Sequence, residues 1–174
     1  MMGRSPRIRK TVLTAHLTFS VGWIGAVVAY LALGISAVTS QDPQSVRAAW
    51  MAMELTGWYV IAPMAVASLF TGVVMGLGTS WGLFRHYWVL ISLLLTTAAT
   101  VGLLLHLPTV SLMAGVVREA DDAQLAGGLG GDLFHAGAGL LILLVVQVLN
   151  MFKPRGVTQY GQRKQDEERI GAQT

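Results

Sequence analysis

Four stretches of this chain, 12–33, 57–77, 87–107 and 133–152, contain no Asp, Glu, Lys or Arg. At a rise of 1.5 Å per helical residue, about 20 residues cover the roughly 30 Å hydrocarbon core of a bilayer. A soluble helix rarely needs an uncharged run of that length, and four in succession exclude a water-soluble fold. Within hydrocarbon every backbone polar group must be satisfied internally, so each stretch is expected to be a helix.

Composition agrees. Charged residues make up 12% of the 174 residues, against about 25% in soluble domains, and the mean hydropathy is +0.58. The fold class this implies is all-α: a four-transmembrane-helix bundle running up, down, up and down. Its helices are expected at about 12–34, 51–77, 86–107 and 132–153, within a membrane domain spanning 11–153. An outer loop covers 108–131, a basic tail 1–10, and a polar, partly helical or disordered tail 154–174. Pro63 lies inside the second helix and predicts a kink. The third helix either ends near Pro108 or continues as a kinked extension to about Val117. Thr11 and Asp132 are the expected N-caps of the first and fourth helices.

The placement of basic residues gives the orientation. Arg4, Arg7, Arg9 and Lys10 precede the first span, Arg85 sits between the second and third, and Lys153, Arg155, Arg163, Lys164 and Arg169 follow the fourth. The other two connections hold only Arg47 and Arg118. The positive-inside rule then puts both termini in the cytoplasm, in the inner membrane of a bacterium, with the first span too long for a cleaved signal peptide. The pI near 9.6 therefore reflects topology and lipid headgroups and not nucleic acid. Trp81, Tyr87 and Trp88 read as an aromatic belt at the inner interface.

The chain has no cysteine, which excludes disulfides, iron–sulfur clusters and thiolate metal sites. No nucleophile motif or phosphate loop occurs, so no catalytic residue is assigned. Ionisable groups inside a membrane are functional candidates by default, and all four histidines lie in or at the edge of a span. Helix direction sorts them into an inner pair, His16 with His86, and an outer pair, His106 with His135. On the third helix His86 and His106 are 20 residues apart, about 30 Å along the axis, so they serve separate sites. His16, Ser20, Trp23 and Tyr30 form one helical stripe expected to face the bundle interior, and Gly137 and Gly139 leave room beside His135. Neutral imidazole ligates haem iron, copper and zinc. Glu54, level with the outer histidines, with Asp132 near too, makes them a candidate two-histidine-and-carboxylate site for Cu(II) or Zn(II). Gly72 and Gly76 form a small-residue pair for helix packing, within the bundle or between subunits.

The stretch Trp81-Gly-Leu-Phe-Arg-His-Tyr-Trp-Val-Leu, running on to Leu105-His-Leu-Pro-Thr-Val-Ser, resembles a family of bacterial four-helix membrane proteins without an assigned function. His16, Trp23 and Gly25 are similar to a wider group: copper-resistance D-type proteins, the membrane protoporphyrinogen oxidase family and two-haem b-type cytochromes. The resemblance implies His16 as a haem or metal ligand. The 20-residue separation on the third helix exceeds the cytochrome spacing, and the diagnostic oxidase motifs are missing, so substrate and reaction do not transfer. The expected function is binding of haem b through His16, His86, His106 and His135, with Trp23 nearby, and electron transfer with quinone. The alternatives are a copper- or zinc-handling component, through His106, His135 and Glu54, and a structural subunit of a larger membrane complex.

Overall fold

A computed structural model describes residues 6–78, 82–126 and 132–171. Trp81, the glycines at 127, 128, 130 and 131, and Arg4 lie outside them. The elements are α1 (Pro6–Thr39), α2 (Pro43–Thr56), a five-residue π-helical segment (Gly57–Ile61), α3 (Ala62–Gly78), α4 (Tyr87–Glu119), α5 (Asp122–Ala126), α6 (Leu133–Phe152) and α7 (Gln159–Gly171). Four helical spans are long and apolar enough to cross a membrane: α1, the continuous run Pro43–Gly78, α4 and α6. The protein is an all-α four-helix bundle.

The packing is that of a square. α1 lies against α2, α3 and α6, and α4 lies against α2, α3 and α6, which puts α1 and α4 at opposite corners. The chain ends and the α3–α4 connection share one end of the bundle, here the terminal end. The α1–α2 and α4–α6 connections share the far end. Only 11% of the apolar window in each of α4 and α6 is buried. The outward rows carry Leu94, Leu105, Leu112, Leu141 and Val148, and lipid is the solvent that such a surface requires.

Several helix ends differ from the sequence expectation. α1 is already helical at Pro6, the first described residue and five residues before Thr11. Thr11 Oγ1 instead donates back to the Arg7 carbonyl at 3.1 Å. α2 starts at Pro43, capped by Asp42, whose carboxylate accepts from the Gln44 and Ser45 amides and from Ser45 Oγ at 2.6 Å. That Ser45 hydroxyl, with its amide, holds the Asp42 carboxyl below its ordinary range.

α4 continues through Pro108 to Glu119, so the expected loop 108–131 is helical over its first half. Continuing forfeits one hydrogen bond at the proline. Stopping would leave a full turn of carbonyls unpaired at membrane depth. The extension buries Val110, Ala114 and Val117, and Arg47 from α2 closes its end by donating to the Val117 and Ala120 carbonyls at 3.3 and 2.8 Å.

Pro63 likewise does not break the second span. The ring supplies no N–H for the Tyr59 carbonyl and crowds it. One turn upstream the helix widens, and the Ala62 amide reaches the Gly57 carbonyl in the i→i+5 pattern. The widened turn sets Gly57 beneath α4: a Cβ there would stand 2.6 Å from Leu107 Cδ2.

Residues 156–168 of the C-terminal tail clasp residues 84–87 of the chain. Thr158 donates from its amide to the Arg85 carbonyl at 3.0 Å and from its hydroxyl to the Phe84 carbonyl at 2.5 Å. His86 and Val157 form an antiparallel bridge, and Arg85 pairs with Glu168 at 2.5 Å. Of the expected aromatic belt, Tyr87 is exposed and Trp88 is buried at 9%.

Candidate functional site

At the far end, α4 and α6 bring His106 and His135 together. Their imidazoles stack with centroids 3.8 Å apart and planes 17° apart. The carboxylate between them is Asp132, at the first position before α6. One of its oxygens lies 2.8 Å from His106 Nε2 and the other 3.1 Å from His135 Nδ1. Tyr30 of α1 donates its hydroxyl to Asp132 Oδ2 at 3.0 Å. Three residues from three helices therefore converge on one carboxylate.

Asp132 occupies the expected N-cap position of α6, but its side chain makes no capping hydrogen bond. The histidines and the tyrosine take up its oxygens instead. Glu54 is not part of this group. It pairs with Arg118 at 3.4 Å, across the α2–α4 contact.

One ligand atom each from His106, Asp132 and His135 lies within 4.8 Å of the others. A divalent ion bound at about 2.0–2.2 Å to each of three tetrahedral donors needs them about 3.4 Å apart. Two nitrogens and one carboxylate oxygen suit Zn(II) or Cu(II), whereas Cu(I) favours sulfur. The Asp132 side chain is 8% exposed, that of His106 18%, and that of His135 58%. The anionic member is thus sheltered, and the outermost histidine faces the surroundings.

Beneath the cluster lies a cavity of about 200 Å³. Trp23, Val27 and Tyr30 of α1, Ile61 of the widened turn, and faces of α4 and α6 line it, and its ionisable side chains are Tyr30 and the His–Asp–His cluster. Trp23 thus borders the cavity. An added Cβ would meet open space at Gly139, as at Gly102 across the seam and at Gly25 on α1, so Gly25 marks no close helix approach.

The terminal-end histidines are engaged separately. His16 turns to α3, where its Nδ1 lies 3.2 Å from the Ser68 carbonyl and 3.1 Å from Thr71 Oγ1. A carbonyl only accepts, so the proton sits on Nδ1. Ser20 joins the same network through Ser68 Oγ at 2.8 Å. Gly72 seats the imidazole, since a Cβ there would approach His16 Cε1 to 3.1 Å. The Gly72 end of the small-residue pair therefore packs α1 within the bundle. His86 precedes α4 and is tied to the tail through the Val157 bridge, with its ring 6.5 Å from Trp88.

The stripe His16, Ser20, Trp23 and Tyr30 thus faces inward over its length, ending on the cluster at the far end. Tyr30 is the residue that the sequence pattern does not assign to the cluster, and of the two nearby carboxylates the structure puts Asp132 in it and Glu54 elsewhere. The signal for Asp132 is a carboxylate three residues before His135. Comparisons with protein-family models, curated proteins and solved structures gave no match.

Proposed function

We propose that this integral membrane protein binds one divalent transition-metal ion, Zn(II) or Cu(II), through His106, Asp132 and His135, and acts in metal handling at the membrane. The observation that carries this reading is the single buried carboxylate shared by two imidazoles from different helices. Three protein ligands leave a tetrahedral ion one open position, as in sites that exchange or act on a fourth ligand. Tyr30 supports the set from outside by holding Asp132 in place, the role such outer partners have in metal sites.

Haem b with electron transfer to quinone has less to stand on at this end. A bis-histidine haem needs its two rings on opposite faces of one macrocycle. His106 and His135 lie directly on one another, and about 200 Å³ falls below the roughly 300–1,000 Å³ of ordinary cofactor pockets.

The membrane is the bacterial cytoplasmic membrane, with the far end outward. The ten basic residues at the chain ends and in the α3–α4 connection, against two at the other end, support this orientation. Reporter fusions at the C-terminus and in the α1–α2 connection test it, and an external C-terminus overturns it.

Elemental analysis and an absorption spectrum of the purified protein test the function. One zinc or copper per chain with no Soret band is expected. A Soret band without stoichiometric metal transfers the proposal to haem, and a colourless, metal-free protein after incubation with either ion overturns both.

A further inference from the structure

The cavity and the metal cluster are one continuous space, and its shape bears on what fills the fourth position of the ion. From His106 down to Ala98 it follows eight residues of α4, about 12 Å of depth at 1.5 Å per residue. The lining below the cluster is aliphatic but for Trp23, and the ionisable groups Tyr30, His106, Asp132 and His135 belong to the cluster end. Ala98 and Gly102 line the space and are themselves exposed on the bundle surface. Across the seam stand Ala138 and Gly139 of α6. A Cβ added at Gly102 or Gly139 meets nothing within 4 Å. The seam between α4 and α6 is therefore a side opening toward lipid, walled by small residues.

Charge adds the second constraint. Two neutral imidazoles, one carboxylate and a divalent ion sum to one positive charge. An anionic oxygen ligand neutralises it at low cost in a medium that penalises net charge. The ligand must also enter from the bilayer and leave an apolar tail in the cavity.

Resting on the metal reading above, we infer that the site takes a membrane-borne single-chain amphiphile with a carboxylate head, of the fatty-acid class. One head oxygen fills the open position of the ion, and the chain lies along Gly102 and Gly139 toward Trp23. His135, the exposed member of the cluster, stands at the head-group end.

Cobalt(II) serves as the test ion, because its visible absorption band responds to the fourth ligand. Protein in phosphatidylcholine nanodiscs is loaded with cobalt and titrated with acetate, octanoate and laurate. Each buried methylene contributes severalfold to binding, so laurate is expected to shift the band at a concentration at least about tenfold below acetate. Partition into the bilayer also favours laurate, but equally for every variant. Gly102→Leu and Gly139→Leu each put a branched side chain into this space from a Cβ that meets nothing within 4 Å, and each is expected to keep cobalt binding and the acetate response while losing most of the laurate advantage. An unchanged laurate advantage in both variants, or no band shift with laurate while cobalt stays bound, overturns this inference and leaves the metal reading intact. Failure of the wild-type protein to bind cobalt overturns the two together.

Discussion

The imidazoles of His106 and His135 lie 3.8 Å apart, 17° from parallel, and the Asp132 carboxylate reaches both, at 2.8 and 3.1 Å. This relationship joins α4 to α6 at the far end of the bundle. A carboxylate that two histidines share is an oxygen donor already placed between two nitrogen donors. Asp132→Asn keeps the size and loses the charge. Its zinc affinity is expected to fall by more than the about 10–100-fold typical of losing an outer-shell partner. Competition with a chromophoric chelator measures it, and an affinity within about threefold of wild type would rule Asp132 out as a ligand.

Tyr30 touches the carboxylate and lies outside the metal-ligand set. Tyr30→Phe removes only the hydroxyl that donates to Asp132 Oδ2 at 3.0 Å. Zinc affinity is expected to drop about 10–100-fold with the thermal midpoint of the metal-free protein nearly unchanged. An unaltered affinity would show that the Tyr30 contact serves packing alone.

Ligand nitrogens and oxygens must shed their protons before they bind an ion. The apparent zinc affinity of the wild-type protein is therefore expected to fall as the pH is lowered through the histidine range, with proton release on binding. Calorimetry in buffers of different ionisation enthalpy counts the protons. Binding without pH dependence between about pH 5 and 8 would exclude histidine ligation.

The four spans are legible in the sequence because hydrocarbon imposes a length and forbids charge, and both are countable. The pairing of His106 with His135 is legible from helix direction. The helix ends are less so. At Pro108 the sequence allows either an end or an extension to about Val117, and burial of Val110, Ala114 and Val117 with the Arg47 donors carries α4 on to Glu119. Asp132 reads both as the N-cap of α6 and as a carboxylate near the outer histidines, and the choice is open for a different reason. A carboxylate before a helix serves equally as a cap or as a partner for side chains, and only the approach of α1 and α4 decides. Glu54 sits at the right depth, but Arg118 draws it to the α2–α4 contact. The tail clasp leaves no pattern at all, because Thr158 binds the backbone carbonyls of residues 84 and 85.

That clasp can be opened without touching the bundle. Gly161 packs directly on the Arg85 carbonyl, leaving no room for a Cβ. Gly161→Ala is expected to speed amide exchange and tryptic cleavage across α7, at Arg163 and Lys164, while α1 and α4 stay protected. Unchanged protection of α7 would show that the tail is held by other contacts.

The widened turn offers a packing test. Gly57→Ala drives a Cβ against Leu107 and is expected to destabilise the bundle by about 1–3 kcal/mol, as overpacking does. Gly25→Ala meets open space and serves as the control. Equal thermal midpoints for the two variants would contradict the close approach of the Gly57 turn to α4.

The most direct test of the central claim is a calorimetric zinc titration of the metal-stripped protein beside the His106→Ala, His135→Ala double variant. The expected result is one ion bound per wild-type chain and binding at least about 100-fold weaker in the variant. Equal binding by the two proteins, or none by the wild type, would contradict a metal site at His106, Asp132 and His135.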